Sequence, residues 1–187
     1  MRCFIAINLN EELKMEIDRL TAGMKKGNRD VRWVPAENLH ITLKFLGAVP
    51  DESTKEIKEA LSQISARYRP FDVKLRGMGL FPDRRRPKVV WIDMLNSEEL
   101  IRLQEQVELF TESLGFKREN RQFSPHLTIG RVRTPGRSGS LVDAVEEFKD
   151  TDFGNIRVDT IYLMKSDLKP TGAQYSVIAG FPLKKEE

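Results

Sequence analysis

The chain contains two histidines, His40 and His126, and each stands two residues ahead of a threonine, Thr42 and Thr128. Both pairs lie in apolar, β-branched runs, Leu39-His40-Ile41-Thr42-Leu43-Lys44-Phe45-Leu46 and Pro125-His126-Leu127-Thr128-Ile129-Gly130-Arg131-Val132. The alternation predicts strands, because side chains two apart share a face. His40 and Thr42 then stand roughly 7 Å apart on one face, with Ile41, Leu43 and Phe45 behind them. His126 and Thr128 repeat the arrangement in front of Leu127 and Ile129. An imidazole titrates near pH 6.5, so one of two can be a neutral base while the other is a protonated acid. Threonine hydroxyls can donate to an oxyanion without adding a competing titration, and β-branching holds them to few rotamers. One histidine in a strand is more often a half-buried core residue. Two in matching contexts, facing one reacting atom from opposite sides, favour separate lobes around a cleft.

The elements that would carry these strands can be read in order. Residues 2–9 read as a buried strand. Asn10 caps a helix to about Lys26, with Glu11 and Glu12 in its first turn and Leu13, Ile17 and Leu20 along one stripe. A short strand at 31–34 and a turn at 35–38 lead into the first histidine strand. A second helix spans about 51–68, strands are expected at 71–75 and 88–94, and a third helix runs from Glu98 to Leu114, closed by Gly115. Between those two strands, 77–87 is a Gly/Pro-punctuated loop carrying Arg84, Arg85 and Arg86. The second histidine strand covers about 121–132, followed by a basic loop at 134–140, a helix at 141–148, and strands at 155–165 and 174–181. The tail from Lys184 is expected to be disordered. This order implies an α+β fold: one bilobal domain over 1–187, two pseudo-symmetric, mostly antiparallel sheets with outer helices around a central cleft.

Composition bounds the rest. With 40% hydrophobic and 32% charged residues among 187, the chain is an ordinary globular protein. A net charge of +3 leaves an anionic partner open. Cys3 is the only cysteine, so no intrachain disulfide forms, and the cytoplasm is the expected compartment. Cys3 itself reads as inert packing. No run approaches the length of a membrane helix, and the N-terminus is too short and too soon polar for a signal peptide.

The paired His-x-Thr strands, 86 positions apart, resemble those of the two-histidine (2H) phosphoesterase superfamily. Within it, the chain resembles the RNA 2′,3′-cyclic phosphodiesterases, also called 2′-5′ RNA ligases. The likeness rests on Met1-Arg2-Cys3-Phe4-Ile5-Ala6-Ile7, on residues 33–47 and 86–91, and on Phe123-Ser124-Pro125-His126-Leu127-Thr128-Ile129-Gly130-Arg131. The resemblance implies metal-independent opening of a terminal 2′,3′-cyclic phosphate to a 2′-phosphate, without a cofactor. It makes His40 the proton donor to the departing 3′ oxygen and His126 the acceptor from water, with Thr42 and Thr128 on the non-bridging oxygens. An RNA or nucleotide with a cyclic phosphate end is the implied partner, and a monomer is expected.

Other candidates follow less directly. The resemblance supports Arg131 as a phosphate clamp, yet strand parity puts it opposite His126 unless a bulge intervenes near Gly130. Parity instead places Lys44 on the His40 face as a substrate-binding cation. Arg84, Arg85, Arg86, Arg133 and Arg137 could track an RNA backbone, although a charged loop is more often simply solvated. Trp33, Trp91 and Phe45 could stack on bases; Phe45, on the apolar face, is assigned to the core. The alternatives are 2′-5′ ligation by the same histidines, a non-catalytic RNA-binding module, and a zinc hydrolase, for which no acidic third ligand is at hand.

Overall fold

The computed structural model describes residues 1–134, 139–170 and 172–184. Arg137 and the residues beyond Lys184 lie outside the described residues. The elements run β1 (Arg2–Asn8), α1 (Glu11–Gly27), β2 (Val31–Trp33), a 3-10 turn (Ala36–Asn38), β3 (His40–Ala48), α2 (Ser53–Ser65), β4 (Phe71–Phe81) and β5 (Val89–Leu95). They continue with α3 (Glu98–Ser113), β6 (His126–Val132), α4 (Gly139–Glu147), β7 (Asp152–Val158), β8 (Thr160–Lys169) and β9 (Gly172–Pro182).

The strands form two antiparallel sheets, ordered β3-β1-β8-β9 and β2-β6-β5-β4-β7. The α+β expectation holds, with one histidine strand in each sheet. The helices are exchanged between sheets: α1, which follows β1, packs on β7 and α4, whereas α3, which follows β5, packs on β3 and α2. A single buried cluster joins both sheets and all four helices, from Ile5, Ile7 and Ile41 through Leu61 and Leu103 to Val90, Ile92 and Leu127. A second, small cluster of Phe4, Ala6 and Met164, with Tyr162 and Tyr175, covers the opposite face of the first sheet. No helix is long and apolar enough to cross a membrane.

Local signals account for several boundaries. The Asn10 side chain accepts from the Leu13 N–H at 2.8 Å, as the cap predicts. Gly115, at φ +89°, ends α3, with the Phe116 N–H reaching back to the Thr111 carbonyl at 3.0 Å. Four expectations are corrected. The segment 77–81 is strand rather than loop, because Gly77, at φ +83°, takes up a bulge with its N–H on the Thr151 carbonyl and β4 continues. The second histidine strand begins at His126, not near 121: Pro125 has no N–H to offer a ladder, and the Lys117 carbonyl and Glu119 N–H are taken by buried side chains. The strand expected over 155–165 is two strands broken at Asp159, where the chain passes from one sheet to the other. Helix α2 is also shorter at both ends than expected.

Candidate active site

The two histidines are held by the same device. His40 Nδ1–H donates to the Asn38 carbonyl at 2.7 Å, and His126 Nδ1–H donates to the Ser124 carbonyl at 2.7 Å. A carbonyl can only accept, so the proton sits on Nδ1 and each ring presents Nε2 for proton transfer. His40 Nε2 lies 3.1 Å from Thr42 Oγ1. Aromatic walls hold both rings. Phe4 lies 4.9 Å from His40, and Tyr175 stands edge-on to it at 5.1 Å. Phe81 stands edge-on to His126 at 5.4 Å and stacks on Trp91 at 4.9 Å. Burial pushes the His40 imidazole below its ordinary value; its bond to the Asn38 carbonyl opposes this, and the Lys14 and Arg131 charges add to the depression. Arg131 belongs to the other sheet, and β3 and β6 pack against each other, so the two histidine strands are neighbours in the fold.

Strand register decides which further residues share a face with each histidine. In β3, Thr42 pairs with Ala6 and Lys44 with Ile5, so Leu43 is an extra residue. In β6, Thr128 pairs with Trp91 and Gly130 with Val90, so Ile129 is extra. Both bulges fall three residues after a histidine and invert the parity beyond it. Arg131 thus returns to the face of His126 and Thr128, paired with Val89 two residues from Trp91.

The same inversion overturns two assignments. Lys44 is not a substrate ligand but a core residue, its Nζ 2.6 Å from Glu108 Oε2 and 2.6 Å from the Lys117 carbonyl. Phe45 is not core: it is 62% exposed and joins the His40 face 6.2 Å from Phe4. Trp33 packs over Gly130 on the far face, its indole N–H on the Asn28 carbonyl at 3.2 Å, so it faces no substrate. Trp91 does share the His126 and Thr128 face, stacked against Phe81. Arg84 is occupied by Glu146, and the Arg85 and Arg86 N–H groups close a turn on Asp83. Cys3 is buried in the core, as expected. Sequence reasoning passed over Asn8 and Asp93, the cross-strand partners of His40 and His126; only pairing exposes them. Among the described residues no three His, Cys, Asp or Glu side chains gather in a way that could hold a metal ion.

Comparison with known proteins bears on the same halves. An RNA 2′,3′-cyclic phosphodiesterase of Methanocaldococcus jannaschii is 39% identical over 178 residues, 95% of this chain and 98% of that one. The RNA 2′,3′-cyclic phosphodiesterase of Methanothermobacter thermautotrophicus is 34% identical over 98% of this chain and 99% of its own. Among solved structures, the protein TT0787 of Thermus thermophilus superposes with a TM-score of 0.84 at 28% identity over the whole of both chains. E. coli LigT complexed with 3′-AMP superposes with a TM-score of 0.73 at 27% identity, covering 97% of each. The LigT-like phosphoesterase profile matches residues 7–91 and again 92–175, so each match contains one His-x-Thr strand. With both halves matched, and each match carrying one histidine strand, the chain belongs to the LigT-like phosphoesterase family.

Proposed function

We propose that the cleft opens a terminal 2′,3′-cyclic phosphate by in-line attack of water, the activity for which the curated relatives are named. His126 Nε2 takes the proton of the attacking water, and His40 Nε2–H delivers a proton to the departing 3′ oxygen, leaving a 2′-phosphomonoester. Thr42 and Thr128 hydrogen-bond the non-bridging oxygens, which requires Thr42 to turn from His40 Nε2 toward the phosphate. Arg131 adds a guanidinium to the same face. Phe45, exposed beside Phe4 on the His40 side, offers a stacking surface to the terminal base. The whole chain acts as one unit, since each half supplies one imidazole.

The observation that carries this is the duplicated tether: two rings, each pinned through Nδ1 to the carbonyl two residues back, with Nε2 left for chemistry. A non-catalytic binder has no use for a matched acid and base. His40 is held toward its neutral form in the free protein, and an anionic phosphate in the cleft favours the protonated form that an acid needs. The test is incubation with an RNA ending in 2′,3′-cyclic phosphate, with EDTA present. A 2′-phosphate product, abolished in H40A and H126A variants that still bind the RNA, is expected. A 3′-phosphate product would reverse the two roles, and loss of turnover on adding EDTA would overturn the metal-free mechanism.

A further inference from the structure

Asn38 holds His40 with its main chain and β9 with its side chain. Its carbonyl accepts from His40 Nδ1–H at 2.7 Å, and its Nδ2 donates to the Ala173 carbonyl, near the start of β9, at 3.2 Å. In the order β3-β1-β8-β9 the two edge strands are three spacings apart, about 14 Å in a flat sheet. The sheet therefore curls to bring Ala173 within reach of Asn38, and among the described residues no ladder closes the gap between β9 and β3. Two residues further along β9, Tyr175 stands edge-on to His40 at 5.1 Å and to Phe4 at 5.1 Å. The turn before His40 is also braced from α1, where the Lys14 ammonium donates to the Glu37 carbonyl at 3.3 Å and to Glu11 at 2.8 Å. His126 has the same tether without the second half of this device. Among the described residues the Ser124 side chain makes no hydrogen bond, and the bond from its carbonyl to His126 lies exposed.

The asymmetry suits two rings with opposite tasks. A base that takes a proton from water must meet water, whereas an acid gains from a fixed, dry place beside the departing oxygen. We propose that Asn38 is a positioning residue for His40: its amide fastens β9 across the open edge of the curled sheet so that Tyr175 closes one side of the imidazole, while its carbonyl keeps Nε2 turned to the substrate. This rests on the reading above, in which His40 is the acid. An asparagine fits the task because its amide donates without bringing a charge beside an imidazole that must gain a proton; a carboxylate of the same shape has no donor. Burial is the largest cause of the lowered His40 value, and the ring meets Phe4 from β1 and Tyr175 from β9. The charges that bear on it are Lys14 from α1 and Arg131 from β6, and neither depends on the Asn38 amide.

Alanine at position 38 removes the amide and keeps the carbonyl, so N38A frees β9 without cutting the Nδ1 tether. The test follows both imidazoles by NMR titration of the free protein; the chain has only two histidines, and H126Q assigns their signals. In N38A the His40 titration should move up toward the ordinary imidazole range while that of His126 stays in place. On an RNA ending in 2′,3′-cyclic phosphate, kcat should fall about tenfold with a smaller change in KM, and the high-pH limb of kcat/KM should move up with the His40 titration. Y175A should reproduce N38A, the double variant should be no worse than either single because both act through one contact, and Y175F, which keeps the ring, should recover most of the Y175A loss. An N38A protein with wild-type His40 titration and kcat overturns the proposal. So do additive N38A and Y175A losses, an equal movement of both histidines, or a Y175F as impaired as Y175A, which would put the phenol on the substrate. A wild type that opens no cyclic phosphate removes the proposed activity itself, and the positioning role with it, whatever the titrations show.

Discussion

Replacing Lys44 by methionine separates a core role from a substrate role. The Lys44 side chain is 1% exposed and that of Glu108 is 5% exposed, with Nζ 2.6 Å from Oε2. In K44M the carboxylate stays buried with only the Gln104 amide, at 3.2 Å, and the Glu119 N–H, at 3.4 Å, as donors. Losing one member of a buried pair costs about 3–5 kcal/mol, because the other charge is stranded. For a chain of this size that lowers Tm by roughly 6–20 °C. The double variant K44M/E108L removes both charges at similar volume. It leaves the Lys117 carbonyl, the Gln104 amide and the Glu119 N–H short of one partner each, at about 1 kcal/mol apiece, and should therefore be within about 3 kcal/mol of wild type. Urea unfolding of the wild type, both singles and the double gives the coupling energy. Turnover is measured in parallel: Nζ points away from the cleft, so folded K44M should keep kcat/KM within a few-fold. A K44M loss below about 1 kcal/mol, a double variant no better than the sum of the singles, or a hundredfold fall in kcat/KM of folded K44M would each refute the reasoning.

Further outcomes follow from the same geometry. If His40 is the acid, activity falls as pH rises through its pKa, and the depressed value in the free protein puts that limb of kcat/KM below the ordinary imidazole range. The corresponding limb of kcat should lie at higher pH, and coincident limbs in the two profiles would contradict this. Because burial lowers the folded pKa, the unfolded chain binds the proton first as pH falls, so His40 makes stability drop below about pH 6.5; urea midpoints of H40Q across pH should show a shallower fall. A Cβ at Gly79 would come within 2.3 Å of Trp91 Cζ2, so G79A should cost about 1–3 kcal/mol by calorimetry. It should also lower kcat by displacing Phe81 from His126. F45A, at an exposed position, should leave stability within about 0.5 kcal/mol while raising KM for RNA roughly tenfold by loss of stacking.

What could be read before the structure was set by how local the cause is. Period-two alternation around His40 and His126, the Asn10 cap and the Gly115 stop all act within a few residues, and each appears where the sequence puts it. The bulges do not. An extra residue at Leu43 changes neither composition nor apolar content, yet it sends Lys44 inward and Phe45 outward. Its counterpart at Ile129 is flagged by Gly130, an uncommon residue in a strand interior, and there the alternative was visible. The Lys44–Glu108 pair joins positions 64 apart, and the Asn38–Ala173 bond joins positions 135 apart. Neither leaves a mark in any window of sequence. The break at Asp159 is hidden for a related reason: β7 and β8 read as one run because both are apolar on one side, and only the change of sheet divides them.

The exchange of helices between the sheets bears on how the molecule can be taken apart. The first half's leading helix packs on β7 and the second half's on β3, and each sheet takes strands from both halves: β1 and β3 lie with β8 and β9 in one, and β2, β4 and β5 with β6 and β7 in the other. Cutting the chain at the midpoint of the duplication would therefore strip both sheets at once instead of releasing two small folded proteins. The strands that carry the two imidazoles are accordingly joined through a shared interior and not through a hinge.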